Sequence, residues 1–135
     1  MEKSRTEMIS DSRIEETIKH AIESHANGQT SLAVQELSAL AAEFPTEARV
    51  HGYLATFLWR SDRFDEALEP ARQASLLSPG SERASLVLFH LLWKIGQRVE
   101  ALEEMKRFLK VSPSEEYSKM IKEWNLSEGD LPDIG

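Results

Sequence analysis

Between Ala48 and Pro79 the apolar positions fall three and four residues apart, as A-x-x-H-x-x-L-A-x-x-L and then A-x3-A-x2-A, closed by a proline. That spacing lays one apolar stripe on each of two successive helices. The pattern recurs along the chain. Pro45, Pro79 and Pro113 stand 34 residues apart, as do Ala33, Ala67 and Ala101, and Gly28, Asp62 and Gly96. Three independent landmarks on one period describe a repeated helix–turn–helix unit. A single helical pair cannot bury its apolar face alone, so such units stack into an array.

Breaks in the apolar pattern predict helices over about 13–26, 30–44, 47–60, 63–77, 82–95, 98–111 and 114–125. Ser12-Arg13-Ile14-Glu15 reads as a capping box opening the first, which leaves residues 1–12 as a flexible arm. Gly28 and Gly96 stop the helices before them, because glycine accepts a left-handed conformation. Thr30, Asp62 and Ser81 are the expected N-caps of the helices that follow them, and Ser112-Pro113-Ser114-Glu115 reads as a further capping box. Pro70 falls inside the fourth helix, where a kink rather than a break is expected, since the apolar pattern continues through Leu76 and Leu77.

The residues now support a comparison with a known family. Its pattern is W-x2-L-G-x2-Y, then A-x3-F, then P. The second unit has His51-x2-Leu54-Ala55-x2-Leu58, Ala67-x3-Ala71 and Pro79; the third has Ser85-x2-Leu88-Phe89-x2-Leu92, Ala101-x3-Met105 and Pro113. The first has Thr17-x2-His20-Ala21-x2-Ser24, Ala33-x3-Leu37 and Pro45, and the family tryptophan is absent from all three. The chain resembles the tetratricopeptide repeats (TPR). The resemblance implies an all-α fold: a right-handed α-solenoid of three TPR helix pairs, over 14–47, 48–81 and 82–115, with a seventh capping helix. Tyr117, Met120, Ile121 and Trp124 repeat the core spacing on that last helix, with the preceding turn two residues shorter, and should pack around Leu102, Met105 and Leu109.

The resemblance also implies a concave groove lined by the first helix of each unit. Carried over position by position, it takes in Glu15, Ile18, Ile22, His25 and Ala26; Arg49, Gly52, Thr56, Trp59 and Arg60; and Arg83, Leu86, His90, Trp93 and Lys94. With Tyr53, which stands at a further groove position, the partner-binding residues expected are Arg49, Tyr53, Thr56, Trp59, Arg60, Arg83, Leu86, His90, Trp93 and Lys94. Residues 48–60 contain no acidic side chain, although the chain carries a formal net charge of −7. A basic, aromatic groove suits an acidic, partly apolar protein or peptide. Trp59 and Trp93 are open to two readings, groove wall or core. The carboxylate clamp of the family's chaperone-tail binders is mostly missing, since Ile18, Ile22, Tyr53 and Val87 hold its places and only Arg83 matches.

Composition narrows the function further. The acidic balance argues against nucleic acid as a general partner. The longest apolar run, Leu86 to Trp93, is broken by His90 and falls well short of the roughly 20 residues that span a bilayer. With no cysteine and no apolar leader, a cytoplasmic place is expected. The histidines have no metal-ligand spacing, and the adjacent acidic pairs Glu15-Glu16, Glu103-Glu104 and Glu115-Glu116 point about 100° apart on a helix. No enzyme, metal or cofactor is expected. The reading is a peptide-binding adaptor or chaperone-like module. The alternatives are a self-associating scaffold, with a homo-oligomer as its consequence, and an immunity or antitoxin protein that sequesters a toxin. The acidic tail, 126–135, carries Glu128, Asp130 and Asp133 among Leu131 and Ile134, so it is either a solvated tail or a weak occupant of the groove.

Overall fold

The computed structural model describes residues 3–126; the acidic segment beyond them, and with it the expectation of a docked tail, lies outside the described residues. Seven helices follow one another: α1 (Arg5–Ala26), α2 (Thr30–Glu43), α3 (Ala48–Arg60), α4 (Phe64–Leu77), α5 (Glu82–Lys94), α6 (Arg98–Val111) and α7 (Glu115–Glu123). They pair as α1–α2, α3–α4 and α5–α6. The pairs stack, with α1 against α3 and α3 against α5.

The first helix of each pair and the cap helix α7 stop in the same way. Gly28, Asp62, Gly96 and Asn125 are left-handed, with φ of 81°, 59°, 88° and 53°. The next amide reaches back five residues each time: Gln29 to Ser24 at 2.7 Å, Arg63 to Leu58 at 2.9 Å, Gln97 to Leu92 at 2.8 Å and Leu126 to Ile121 at 2.9 Å. This is the Schellman closure, which satisfies carbonyls that a helix end would otherwise leave bare. Asp62 is therefore a helix stop and not the expected N-cap. α4 begins from Arg63, and α2 from Gln29 rather than Thr30, in both cases without a side-chain cap.

Two capping boxes also move. Ser12-Arg13-Ile14-Glu15 lies within α1, and the helix starts at Ser4-Arg5-Thr6-Glu7, the same S-x-x-E pattern, where Ser4 Oγ accepts from the Glu7 amide at 3.1 Å. Residues 5–12, expected in an arm, are thus helical. Extending a formed helix costs far less than nucleating one, and Met8 and Ile9 can stay exposed while it happens. Before α7, the cap is Ser114 rather than Ser112, accepting from the Tyr117 amide at 3.1 Å. Ser81 caps α5 as expected, accepting from the Ala84 amide at 3.2 Å. α4 runs unbroken through Pro70.

The core forms a continuous sheet of contacts through the stack. Ala33, Ala67 and Ala101, one per unit, are fully buried, as are Ala21 and Ala55. Without side chains beyond Cβ, they let helices approach closely. In the third unit the position of Ala21 and Ala55 is taken by Phe89, whose ring meets Tyr117 edge-on at 5.5 Å and stacks on Trp124 at 6.0 Å. Tyr117 also meets Phe108 at 6.0 Å, so the cap rests on α5 as well as on α6. Met120 and Ile121 are half-buried against the same core.

A buried polar chain runs beneath this aromatic contact. Glu104, only 8% exposed, receives Arg107 through two bonds of 2.9 and 2.7 Å and Ser85 Oγ at 2.6 Å. An ionised carboxylate only accepts, so Ser85 donates to it and must accept from the Tyr117 hydroxyl, 2.7 Å away. Burial pushes the tyrosine hydroxyl above its usual range, with the Ser85 bond opposing, so Tyr117 acts as a neutral donor. Arg107 continues to the Pro79 carbonyl at 3.0 Å and Ser75 at 3.3 Å. One network therefore ties together α4, α5, α6 and α7.

Two stability measurements check this account. Urea unfolding of Tyr117→Phe is expected to show a loss of about 1 kcal/mol for the hydroxyl, and Tyr117→Ala a loss of about 3–5 kcal/mol; a loss below about 1 kcal/mol for alanine would mean that α7 does not close the core. Gly96→Ala is expected to cost about 1 kcal/mol or more at its left-handed φ, while Asp62→Gly is neutral or stabilising. The reverse order would contradict the shared helix stop.

Candidate functional site

α1, α3 and α5 follow one another in the stack, so the first helices of the three units share one surface. Between α3 and α5 this surface opens into a cleft of about 250 Å³. Its walls come from small residues: Ala48, Gly52, Ala55 and Thr56 on α3, Ala84 on α5, and Ala71 and Ala74 of α4 behind them. The Thr56 hydroxyl donates to the Gly52 carbonyl at 2.9 Å, so it is satisfied within its own helix. Arg49, Tyr53 and Arg83 stand around this small-residue hollow. The Arg83 guanidinium lies over the Tyr53 ring, 5.6 Å from its centroid, a cation–aromatic contact that also orients the arginine.

A second, more open cleft of about 350 Å³ lies between α1 and α3, lined by Glu15, Ile18, Lys19, Ile22 and Glu23 with Arg49 and Tyr53. Arg49 and Tyr53 belong to both clefts and form the ridge between them. Arg49 is also the residue that links the helices electrostatically: its Nε donates to Glu47 at 2.8 Å, and its guanidinium stands 3.8 Å from Glu15 of α1. The Glu47 hydrogen bond, with Glu15 and Asp11 further off, holds Arg49 more firmly in its charged form.

Four of the ten residues singled out from the sequence line the α3–α5 cleft: Arg49, Tyr53, Thr56 and Arg83. The others lie elsewhere. Trp59 meets Phe64 edge-on at 5.1 Å, and the Lys94 ammonium sits 5.4 Å over that same Phe64 ring. Trp93 clusters with Trp124 at 4.8 Å and Phe89 at 5.8 Å, with Arg98 5.0 Å over its ring. Leu86 is half-buried against the core, and His90 and Arg60 are exposed. The two tryptophans belong to the last turns of α3 and α5, where the chain doubles back. There Phe64, at the start of α4, and Trp124, at the end of α7, meet them, so each is half-buried against a neighbouring ring.

Several wall residues were not legible as site residues. Ala84, Val87, Ala71, Ala74, Ser78 and Ser81 complete the cleft from the neighbouring helices and the turn. The only sequence signal was the density of alanine, glycine and serine across α3, α4 and the start of α5, which reads equally well as close helix packing. The histidines are dispersed. His51 is buried with Nε2 2.8 Å from the Pro45 carbonyl, His25 stacks on Phe57 at 4.7 Å, and His20 pairs with Glu36 at 2.7 Å.

No family model and no curated protein matches the sequence. Solved structures do match the fold. The first TPR of Spaghetti (RPAP3), bound to the HSP90 peptide SRMEEVD, is 14% identical over 81% of this chain and 87% of that one, with a TM-score of 0.70. The Yersinia enterocolitica type III secretion chaperone SycD, in complex with a peptide of the translocator YopD, is 14% identical over 84% of this chain and 88% of that one, with a TM-score of 0.70. MamA is 16% identical over 84% of this chain and 69% of that one, again with a TM-score of 0.70. The fold is that of the tetratricopeptide repeat: a right-handed α-solenoid of three helix pairs with a seventh, capping helix. Among the described residues, no helix is long and apolar enough to cross a membrane.

Gly52 supplies a check on the cleft. It sits in mid-helix, and a Cβ built on it meets nothing within 4 Å. Gly52→Ala is therefore expected to stabilise the protein by about 0.5–1 kcal/mol, the ordinary helix gain, with no clash to offset it. A destabilised variant in a urea titration would show that the space is not open.

Proposed function

We propose that this chain is a non-enzymatic protein-interaction module, adaptor or chaperone-like, acting in the cytoplasm. In this reading it binds an extended, acidic and partly apolar segment of a partner protein on its concave face. The observation that carries the reading is the cleft between α3 and α5: an apolar, small-residue interior flanked by Arg49 and Arg83, on a chain whose net charge is −7. Local positive charge on an acidic protein focuses attraction at one place and discourages basic competitors elsewhere. Two structures of the same fold hold peptides, and that in RPAP3, SRMEEVD, is rich in carboxylates.

A second reading, self-association, has its own observation. Met8 and Ile9, at 60% and 61% exposed, stand on the outer surface of α1 beside Arg5 and Arg13. Adjacent apolar side chains left open this way offer a surface that a second copy could cover. Sedimentation analysis of Met8→Ser/Ile9→Ser against the unaltered chain separates the two readings, since only self-association through α1 predicts a lower mass for the variant.

The main reading is tested on an array of acidic–apolar peptides. The Arg49→Glu/Arg83→Glu double variant is expected to lose at least about tenfold in affinity for peptides the unaltered protein retains, with its helical circular dichroism unchanged. Lys119→Glu on the cap should leave affinity unaltered. Equal retention by the double variant would remove the concave face from consideration.

A further inference from the structure

We propose that the α3–α5 cleft is an anchor pocket for a single apolar side chain of the bound segment, of leucine to phenylalanine size, with a carboxylate one or two residues along facing Arg83. This rests on the concave face being the interaction surface, and it specifies what that surface selects.

The interior decides the first half. The pocket floor is glycine and alanine, and the Thr56 hydroxyl is already bonded to the Gly52 carbonyl. The Ser81 hydroxyl, at the α5 end, is occupied by the Ala84 amide it caps. Few polar groups remain to reward a polar guest, whereas an apolar side chain gains from leaving water. A volume of about 250 Å³ takes one such side chain with its adjoining backbone. Gly52 makes the depth, since nothing lies within 4 Å of where its Cβ would be.

The two arginines decide the second half, because they are not equivalent. Arg49 is occupied by Glu47 and backed by Glu15. Arg83 lies on Tyr53, and no carboxylate among the described residues pairs with it. An incoming carboxylate is therefore drawn to the α5 side of the pocket. Tyr53, on the ridge at the edge of the pocket, holds the Arg83 guanidinium over its ring.

The test uses the full chain, isotopically labelled, with dye-labelled decapeptides of serine and glycine carrying one Asp-Leu-Asp core. Versions replace the leucine by alanine or both aspartates by asparagine. Leucine to alanine is expected to weaken binding about 10- to 50-fold, the loss of three buried carbons. Gly52→Leu fills the pocket from within; it is expected to abolish the leucine preference while its melting temperature stays at or above that of the unaltered protein. Arg83→Gln is expected to erase the difference between aspartate and asparagine peptides, and Arg49→Gln to leave most of it. Binding that shifts amide resonances of Ile18, Ile22 and Tyr53 but ignores both the leucine and Gly52→Leu would overturn the anchor pocket and leave the concave-face reading standing. No binding of any peptide at millimolar concentration would overturn both.

Discussion

Every first-of-pair helix in this chain ends on a left-handed residue with the same backward hydrogen bond, and the shape of the molecule depends on that stop. A left-handed residue turns the chain sharply and in one direction, so each second helix leaves its partner at the same angle. The turn repeats at Gly28, Asp62 and Gly96, so each second helix starts back along its partner from the same kind of stop. In stacked repeats, small rotations from unit to unit accumulate into curvature. The fourth stop, at Asn125, ends the array with the same geometry although α7 is shorter than its predecessors.

Close helix approach is the complementary requirement. Alanine at matching positions in each unit brings backbones together, and the same economy of side chain leaves the cleft between α3 and α5. Where the core needs tight contact, a small residue is covered by the next helix. Where two helices diverge at the surface, small residues leave empty space. The cleft is in this sense a continuation of the packing rule to a place where no fourth wall closes it.

The last unit solves a different problem. A stack exposes its final apolar face unless something covers it, and α7 does so with rings: Tyr117 against Phe89 and Phe108, Trp124 against Trp93. Beneath them Glu104 is a buried charge that would be costly alone. Its two bonds from Arg107 and one from Ser85 satisfy it. Because Tyr117 completes that chain of donors, the cap is seated both by its apolar surface and by a direction-specific hydrogen bond. The position has a serine where the other units have His51 and Thr17, and the small side chain leaves room for both the carboxylate and the phenol.

The sequence by itself determined the repeat, its period and the fold, because those rest on local requirements that each unit must meet alone: an apolar stripe, a small residue at the contact, a residue that tolerates the turn. The resemblance to the repeat family, carried over position by position, put Arg49, Tyr53, Thr56 and Arg83 among the groove residues, and these four line the α3–α5 cleft. The sequence misjudged the start of α1, where Ser4 rather than Ser12 caps the helix, because two identical capping patterns differ only in how far the helix propagates. It read Asp62 as a cap because aspartate serves at both ends of helices, and only the measured φ separates the roles. Tertiary structure alone showed what stands beside the tryptophans: Phe64 and Trp124 arrive from other helices against Trp59 and Trp93. It also decided the cleft, whose walls come from three helices, and the difference between Arg49 and Arg83, which depends on where Glu15 and Glu47 stand. Those facts depend on contacts between residues distant in the chain, and no local pattern encodes them.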